Sequence, residues 1–494
     1  MTNRTVRLSA HGVAADEIRA AIDVLVAATE VPVEFPPAVL EAAERAAGSW
    51  QNGEVEREDL RDIPFVTLDP ASSTDLDQAL HIDPDGDGFR VRYAIADVPA
   101  FVHLGDVIDQ EARRRGATVY LPGRRVPLHP EVLSEGAASL LPDQDAPAFV
   151  WDMRLDAAGA VTACSLTRAV VRSREKLAYD AVQHDLDAGQ GHPMMLLLQQ
   201  VGDLRIEQEK LREGASLNTP EQEVEENEDG SVRLAWRTPQ PIEDSNAQIS
   251  LMTGMAAAQM MIDAGVGILR TMPAPTDEAR TRFRLQAEAL GITWADGQPY
   301  GQFLRTLDWR NPQHLALLNH AGVLFRGAGY LPLGAPPADD DADEAPSLEQ
   351  AAIGAPYAHV TAPLRRLVDR FGLLVCWMIS TDRAIPAELR AALGELPEIM
   401  KSTGSVAGKL EREAVDLVEV LSLKPFVGQE FTGTVIKRSD GEKPRVEVQL
   451  VEPPVTTWVA ADADLGTHVR LRLERIAEPE KDGAIPTAEF SLLT

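Results

Sequence analysis

The sequence predicts an α+β multidomain chain in three parts: a small N-terminal helical module over residues 1–52, a large mixed strand-and-helix domain over 53–424, and a C-terminal β-barrel over 425–494. Three observations lead there. A chain of 494 residues has room for about three domains of roughly 150 residues, and its 44% hydrophobic content is enough for sizeable cores. Residues 1–50 are alanine-rich with a helical period, whereas from about Phe426 onward short strands alternate with Gly and Pro turns. The stretch between them mixes both periods.

Taken in order, residues 15–29 and 36–47 carry the helical pattern, with Gly48 as a stop for the second. Joined by residues 30–35, they predict a helix-turn-helix-like unit. Phe65-Val66-Thr67-Leu68 reads as a buried strand, and Pro70 biases Asp69 toward an extended backbone, so Asp69 sits at a strand end. Asp75 and Asp77 flank Leu76, and an extended backbone sends both carboxylates to one side and the leucine to the other. Three carboxylates this close repel unless a cation neutralises them, and oxygen-only ligation suits Mg²⁺ or Mn²⁺. The nearby Asp83-Pro84-Asp85-Gly86-Asp87-Gly88 imitates a calcium loop, but Ala94 stands at its twelfth position, where a bidentate Glu is needed. It reads instead as a hairpin turn between strands at 79–82 and 89–96. Beyond it, 221–236 reads as an acidic hairpin, 246–264, 276–290 and 364–381 as long helices, and 334–346 as a mobile acidic, proline-rich loop. Strands at 430–437, 445–451 and 468–473 predict a small Greek-key barrel.

The net charge of −30 argues against a nonspecific nucleic-acid coat, because polyanion binding rests on a basic surface. Basic residues nevertheless gather in Arg113-Arg114-Arg115, Arg124-Arg125, Arg172 to Lys176 and Arg365-Arg366. Together with the carboxylates they predict a narrow positive channel inside an acidic body, suited to a single strand. Cys164 and Cys376 lie far apart without a CxxC pair, which predicts two reduced, buried thiols rather than a zinc site. No apolar run approaches the 18 or so residues of a membrane helix, and no signal-peptide core follows the first residues. A cytoplasmic monomer without a membrane partner is expected.

The run Asp69-Pro70, then Asp75-Leu76-Asp77-Gln78-Ala79, resembles the signature of the RNase II (RNB) family of exoribonucleases, which is Asp-Pro, four residues, then Asp-x-Asp-Asp-Ala. Further segments follow in the family's order: Tyr93-Ala94-Ile95-Ala96-Asp97-Val98, Tyr120-Leu121-Pro122-Gly123-Arg124-Arg125-Val126-Pro127, Leu133-Ser134 with Ser139-Leu140, and Tyr357-Ala358-His359-Val360-Thr361-Ala362-Pro363-Leu364-Arg365-Arg366. The resemblance implies an RNB-type catalytic domain in the centre. At Val427-Gly428-Gln429-Glu430-Phe431 the chain is similar to the RNA-binding OB-fold that ends many members. The helical module departs from the cold-shock-type barrels with which members commonly open.

The resemblance also implies an activity: 3′→5′ hydrolysis of single-stranded RNA ends to nucleoside 5′-monophosphates with Mg²⁺, or with Mn²⁺ in its place. By position it implies Asp69, Asp75 and Asp77 as catalytic metal ligands, with Arg365 and Arg366 completing the phosphate clamp through their guanidinium forks. Tyr120 matches an aromatic that stacks on a base near the 3′ end, and Tyr179 one that marks how short an RNA can become. Glu243 or Asp244 lies where the family contacts the terminal ribose, and Glu411 matches a late Glu facing the site. Gln78 stands where a fourth metal-site Asp is expected; its amide oxygen can ligate a cation but brings no charge. A second reading therefore stays open, that of a catalytically weakened RNA-binding relative.

Overall fold

The computed structural model describes residues 10–52, 55–217, 221–226, 231–237, 239–334, 347–439, 443–453, 455–478 and 484–493, with backbone placement alone for 10–15, 52, 221–226 and 231–236. The central domain is organised by a strand too long for a single partner. Val161–Ala178 pairs antiparallel with Asp145–Leu155, from Val161 opposite Leu155 to Arg172 opposite Asp145. Its far end pairs parallel with Phe65–Asp69, from Ser173 opposite Phe65 to Ala178 opposite Asp69. Antiparallel pairings through Gln78–Asp85 and Gly88–Ala96 return to Asp145–Leu155, so the sheet closes on itself and Glu58–Asp59 adds outside the ring. Closure removes exposed edges.

Residues on both faces of these strands enter cores, and the period of two sorts them. Tyr93, Ile95, Phe149 and Trp151 join a core with Met195, Leu198, Ile249, Met252, Phe371 and Val375 from the helices Pro193–Leu211, Pro241–Ala264 and Leu367–Ser380. Ala79, Ala94, Ala148, Val150 and Ala169 form a second core with Phe65 and Leu76. The Asp83–Gly88 segment is a tight hairpin, as expected: Asp85 opposite Gly88 is the last rung, and Gly86 takes φ 60°, which costs glycine nothing. In the helix Pro241–Ala264, a Cβ at Gly254 would come within 2.1 Å of the Tyr357 ring. The bare backbone lets the 357–358 segment cross the helix, where the Ala358 N–H donates to the Gly254 carbonyl at 3.0 Å.

The helices Asp277–Ala289, Tyr300–Leu304 and Pro312–His320 build a local core of Phe283, Trp294, Phe303 and Leu317, which Ile436 of the C-terminal domain joins. That domain is a five-stranded antiparallel sheet in the order Thr456–Val459, Val446–Leu450, Glu430–Arg438, His468–Ala477, Thr487–Leu493. The three expected strands are present, with two more at the edges.

The N-terminal helices are absorbed into different cores. In Ala15–Ala27, Ile18, Ile22, Leu25 and Val26 are buried with Leu410, Val415 and Val418 of the long helix Ala387–Leu423 and with the C-terminal sheet. In Pro37–Ala47, Val39 and Ala43 are buried with Phe101, Ile108, Leu133 and Leu364 of the central domain. The helix-turn-helix-like unit expected from sequence is thus a strap across two parts of the molecule. A strand at Ala10–Ala14, not foreseen, pairs with Ser231–Arg237 and extends the acidic hairpin, whose tip at 227–230 lies outside the described residues. The acidic, proline-rich stretch also lies outside them, from 335 to 346. Cys376 is buried and Cys164 half-buried, both unpaired. Among the described residues no helix is long and apolar enough to cross a membrane.

Candidate active site

The signature segment leaves the barrel at Asp69, opposite Ala178 in a parallel pair. Parallel strands end on the same rim, so Tyr179, which opens the helix Tyr179–Asp187, stands beside Asp69. Asn246 Nδ2 holds the Tyr179 hydroxyl at 2.8 Å. Residues 70–77 make no ladder and are clamped by side chains instead. Lys176 Nζ donates to the carbonyls of Ala71 and Ser73 at 2.7 and 2.6 Å. Ser139 Oγ donates to the Thr74 carbonyl at 2.7 Å and accepts from the Leu76 N–H at 2.9 Å. With Leu76 pinned in the core, Asp75 and Asp77 turn the other way, as the alternation requires. Asp75 accepts from the Tyr120 hydroxyl at 3.1 Å and pairs with Arg125 at 3.2 Å.

Facing these carboxylates is the turn after Ala358. Asp77 Oδ1 accepts from the Leu364 N–H at 2.7 Å, and Gln78 Nε2 donates to the Thr361 carbonyl at 2.5 Å. The two arginines that follow behave differently. Arg366 forms a two-pronged clasp with buried Asp369 at 2.9 and 2.8 Å, and the same carboxylate accepts from the Ala362 N–H at 2.7 Å. Arg365 is 43% exposed, and its Nε lies 3.6 Å from Asp77 Oδ2, too far for a hydrogen bond. Its guanidinium is held in place by charge and left open to a ligand.

The electrostatics are unusual for three neighbouring acids. Burial pushes the Asp69 carboxyl up to about 7 against the pull of Arg365, with Asp75 adding to the rise and Lys176 opposing it. Burial likewise drives Asp77 well above the usual carboxylate range, although Arg365 and the Leu364 N–H pull the other way. Asp69 Oδ2 and Asp77 Oδ2 are both buried without a hydrogen-bond partner. A buried carboxylate in that condition favours a hard cation. Among the described residues, however, no three His, Cys, Asp or Glu side chains converge to hold one ion. The donor set therefore fits Mg²⁺ or Mn²⁺ held by one or two carboxylates, with waters and phosphate oxygens completing the shell, rather than an all-protein cage.

The remaining expected site residues fall into two groups. Glu411 accepts from the Tyr120 N–H at 3.4 Å, so it supports the strand Val119–Leu121 that carries Tyr120; burial raises its proton affinity. Glu243 is spent on structure: its Oε1 accepts from Arg237 at 2.5 Å and from the Gln240 N–H at 3.0 Å, capping the helix Pro241–Ala264. Asp244 beside it is exposed. Most of the basic clusters are also spent. Arg113 pairs with Asp109 and Glu395, Arg114 with Glu111, and Arg115 with Glu111 while it stacks 3.6 Å over Phe35. Arg172 pairs with Asp145 and Arg124 with Asp23. Arg174 and Lys176 instead donate to backbone carbonyls, and Arg365 stays half-exposed beside Asp77. Lys176, Ser139, Asn246 and Asp369 were not singled out for the roles they fill, since each acts through a backbone or side-chain contact that spacing does not reveal.

The family model of the RNB domain matches residues 57–381, which takes in the barrel, the carboxylates and the arginine turn. The chain belongs to the RNB family. A second model, the RNase II-type exonuclease C-terminal S1 domain, matches residues 429–480 of this RNB protein. It is 31% identical over 377 residues to Ribonuclease R of Escherichia coli, covering 71% of this chain and 43% of that protein. With Exoribonuclease 2 of Serratia proteamaculans it shares 38% identity over 165 residues, 33% of this chain and 26% of the other. The chain thus spans less than half the length of either relative. Among solved structures, Mycoplasma genitalium RNase R in complex with ribose-methylated single-stranded RNA superposes with a TM-score of 0.83 at 20% identity, over 97% of this chain and 78% of that one. Yeast Ssd1, described as a pseudonuclease, superposes with a TM-score of 0.65 at 15% identity, over 91% and 55% of the two chains. At these identities the likeness shows the fold.

Proposed function

We propose that this RNB protein is a 3′→5′ hydrolytic exoribonuclease that shortens single-stranded RNA to nucleoside 5′-monophosphates, using Mg²⁺ or Mn²⁺, as a monomer. One observation carries the reading: Asp69 and Asp77 each keep a buried oxygen that accepts no hydrogen bond among the described residues, beside a half-exposed Arg365 that makes no side-chain hydrogen bond among them. In hydrolysis, a water oxygen attacks phosphorus, the bond from phosphorus to the upstream 3′ oxygen breaks, and that oxygen leaves with a proton. A divalent ion, when bound, supplies charge neutralisation and a more acidic water. Arg365 offers a guanidinium that matches phosphate oxygens and stays charged throughout. Asp369 and Arg366 keep the turn in shape beneath it. Tyr179 and Tyr120, anchored by Asn246 and Asp75, present rings beside the carboxylates for the last bases.

A second reading has support of its own. The side chain at position 78 is an amide engaged with Thr361, which leaves one negative charge fewer than the family signature, and a weakened RNA-binding relative fits that deficit. A time course on 5′-labelled RNA and DNA oligonucleotides of one sequence, with and without Mg²⁺, separates the readings. Stepwise shortening of RNA alone, in the presence of metal, is expected. Tight binding of RNA with no shortening under any divalent ion would establish the second reading.

A further inference from the structure

Asp77 and Gln78 are neighbours where the loop enters the strand Gln78–Asp85, yet both reach the same turn nearly three hundred residues later. Asp77 Oδ1 accepts from the Leu364 N–H at 2.7 Å, and Gln78 Nε2 donates to the Thr361 carbonyl at 2.5 Å. The turn 361–364 thus offers a carbonyl at one end and an amide at the other, and the strand meets them with one donor and one acceptor. A carbonyl oxygen only accepts, so the nitrogen of the Gln78 amide must be the atom that faces it. Thr361 is buried, so loss of that donor would leave its carbonyl short of a partner. Arg365 follows directly, its own carbonyl held by the Thr118 N–H at 3.0 Å.

We infer that Gln78 is a positioning residue for Arg365: its amide nitrogen ties the strand Gln78–Asp85 to the Thr361 carbonyl and so fixes the turn that sets the guanidinium over the carboxylates. This rests on the hydrolase reading above. An ionised aspartate or glutamate at 78 would offer the turn two acceptors against one carbonyl and one amide, replacing an attraction with a repulsion. Gln78 therefore matches this loop through its donor, and its oxygen plays no part in the tie.

The test compares the full-length protein with Gln78→Met, which keeps the length of the side chain but has no donor, and with Gln78→Glu, which keeps the length but only accepts. Three quantities are read: steady-state kcat and KM on single-stranded RNA, Mn²⁺ affinity from the paramagnetic resonance signal of the free ion, and deuterium uptake in peptides covering 358–367. In Gln78→Met, kcat is expected to fall about tenfold as the guanidinium loses its fixed height. KM and Mn²⁺ affinity stay as in the parent, and uptake in 358–367 rises. Gln78→Glu should show the same uptake and a larger fall in kcat. If Mn²⁺ affinity in Gln78→Met drops in step with kcat, the amide is a ligand and the inference is overturned. It is equally overturned if uptake in 358–367 does not rise or if kcat does not fall. Should Gln78→Met fail to fold, Gln78→Asn, one methylene short with its donor kept, is measured the same way and is expected to show a smaller rise in uptake. A parent protein that hydrolyses no RNA refutes the hydrolase reading by itself, and the uptake comparison still decides the tie.

Discussion

Two buried aspartates in the same barrel meet opposite fates. Asp97 is fully buried and completely answered: Arg168 grips both its oxygens at 2.8 and 2.7 Å, and Arg57 adds a third bond at 3.0 Å. Asp77, 3% exposed, has one oxygen on a backbone N–H and the other on no hydrogen bond, with only the Arg365 charge 3.6 Å away. A charge that serves the fold is fully hydrogen-bonded by the chain itself, whereas one answered by a single N–H and a loose ion pair is available to something that arrives later. The difference marks the site more clearly than the count of acids does, since the Asp83–Gly88 hairpin is as acidic and is only a turn.

The sharpest way to break the comparison is to remove each charge in turn. Asp77→Asn should lower RNA hydrolysis on the order of a thousandfold while RNA binding changes little, and the metal-free protein should unfold at the same or a higher urea concentration, because a buried carboxylate held by one backbone N–H and a 3.6 Å ion pair gives way to a neutral amide. A drop in stability would instead make Asp77 a structural residue. Asp97→Asn should do the reverse, costing on the order of 3 kcal/mol in urea unfolding because it leaves Arg168 and Arg57 short of a counter-ion. A neutral result there would show that the two sites do not differ in kind.

His129 probes the same idea from the other side, since its buried ring lies by the Pro363 carbonyl of the turn that faces the carboxylates. Burial, helped by Arg370, drives its pKa down to about 3 from an ordinary 6.5. The unfolded chain therefore takes up a proton near 6.5 that the folded chain refuses until about 3, so its contribution to stability is intact above 6.5 and lost as pH falls between those values. His129→Leu should flatten the decline of stability with acidification relative to the parent; parallel curves would mean the ring finds a proton partner in solution. The smallest effect concerns Tyr179. Its replacement by Ala should lengthen the limit product by several nucleotides through the loss of about 1–3 kcal/mol of stacking, and Tyr179→Phe should leave product size alone. An unchanged limit product in Tyr179→Ala would place the ring outside the RNA path.

What could be read beforehand was local. The Phe65 strand, the inward Leu76, the hairpin at Gly86 and the helices near 276–290 and 364–381 follow from periods of two and 3.6 and from turn residues, and the structure has them within a few residues. The partners of charged groups could not be read that way. Arg113 to Arg115 looked available because their acids sit one turn earlier on the same helix or, like Glu395, far along the chain. Gln78 holds the place of the family signature's fourth metal-site Asp, and spacing does not reveal that its amide nitrogen reaches the Thr361 carbonyl 283 residues away. The N-terminal helices read correctly as helices, but burial of Ile18 and Ile22 against Leu410 and Val415 depends on a helix that sequence neighbours do not announce.

That separation has a consequence for how the protein comes into being. Asp77 and the amide that fixes it are 287 positions apart, so a chain emerging from a ribosome N-terminus first carries its acids long before the opposing arginine is synthesised. Until then the acids lack the turn that orients them. Assembly of the site is thereby deferred until the 361–364 turn has been made.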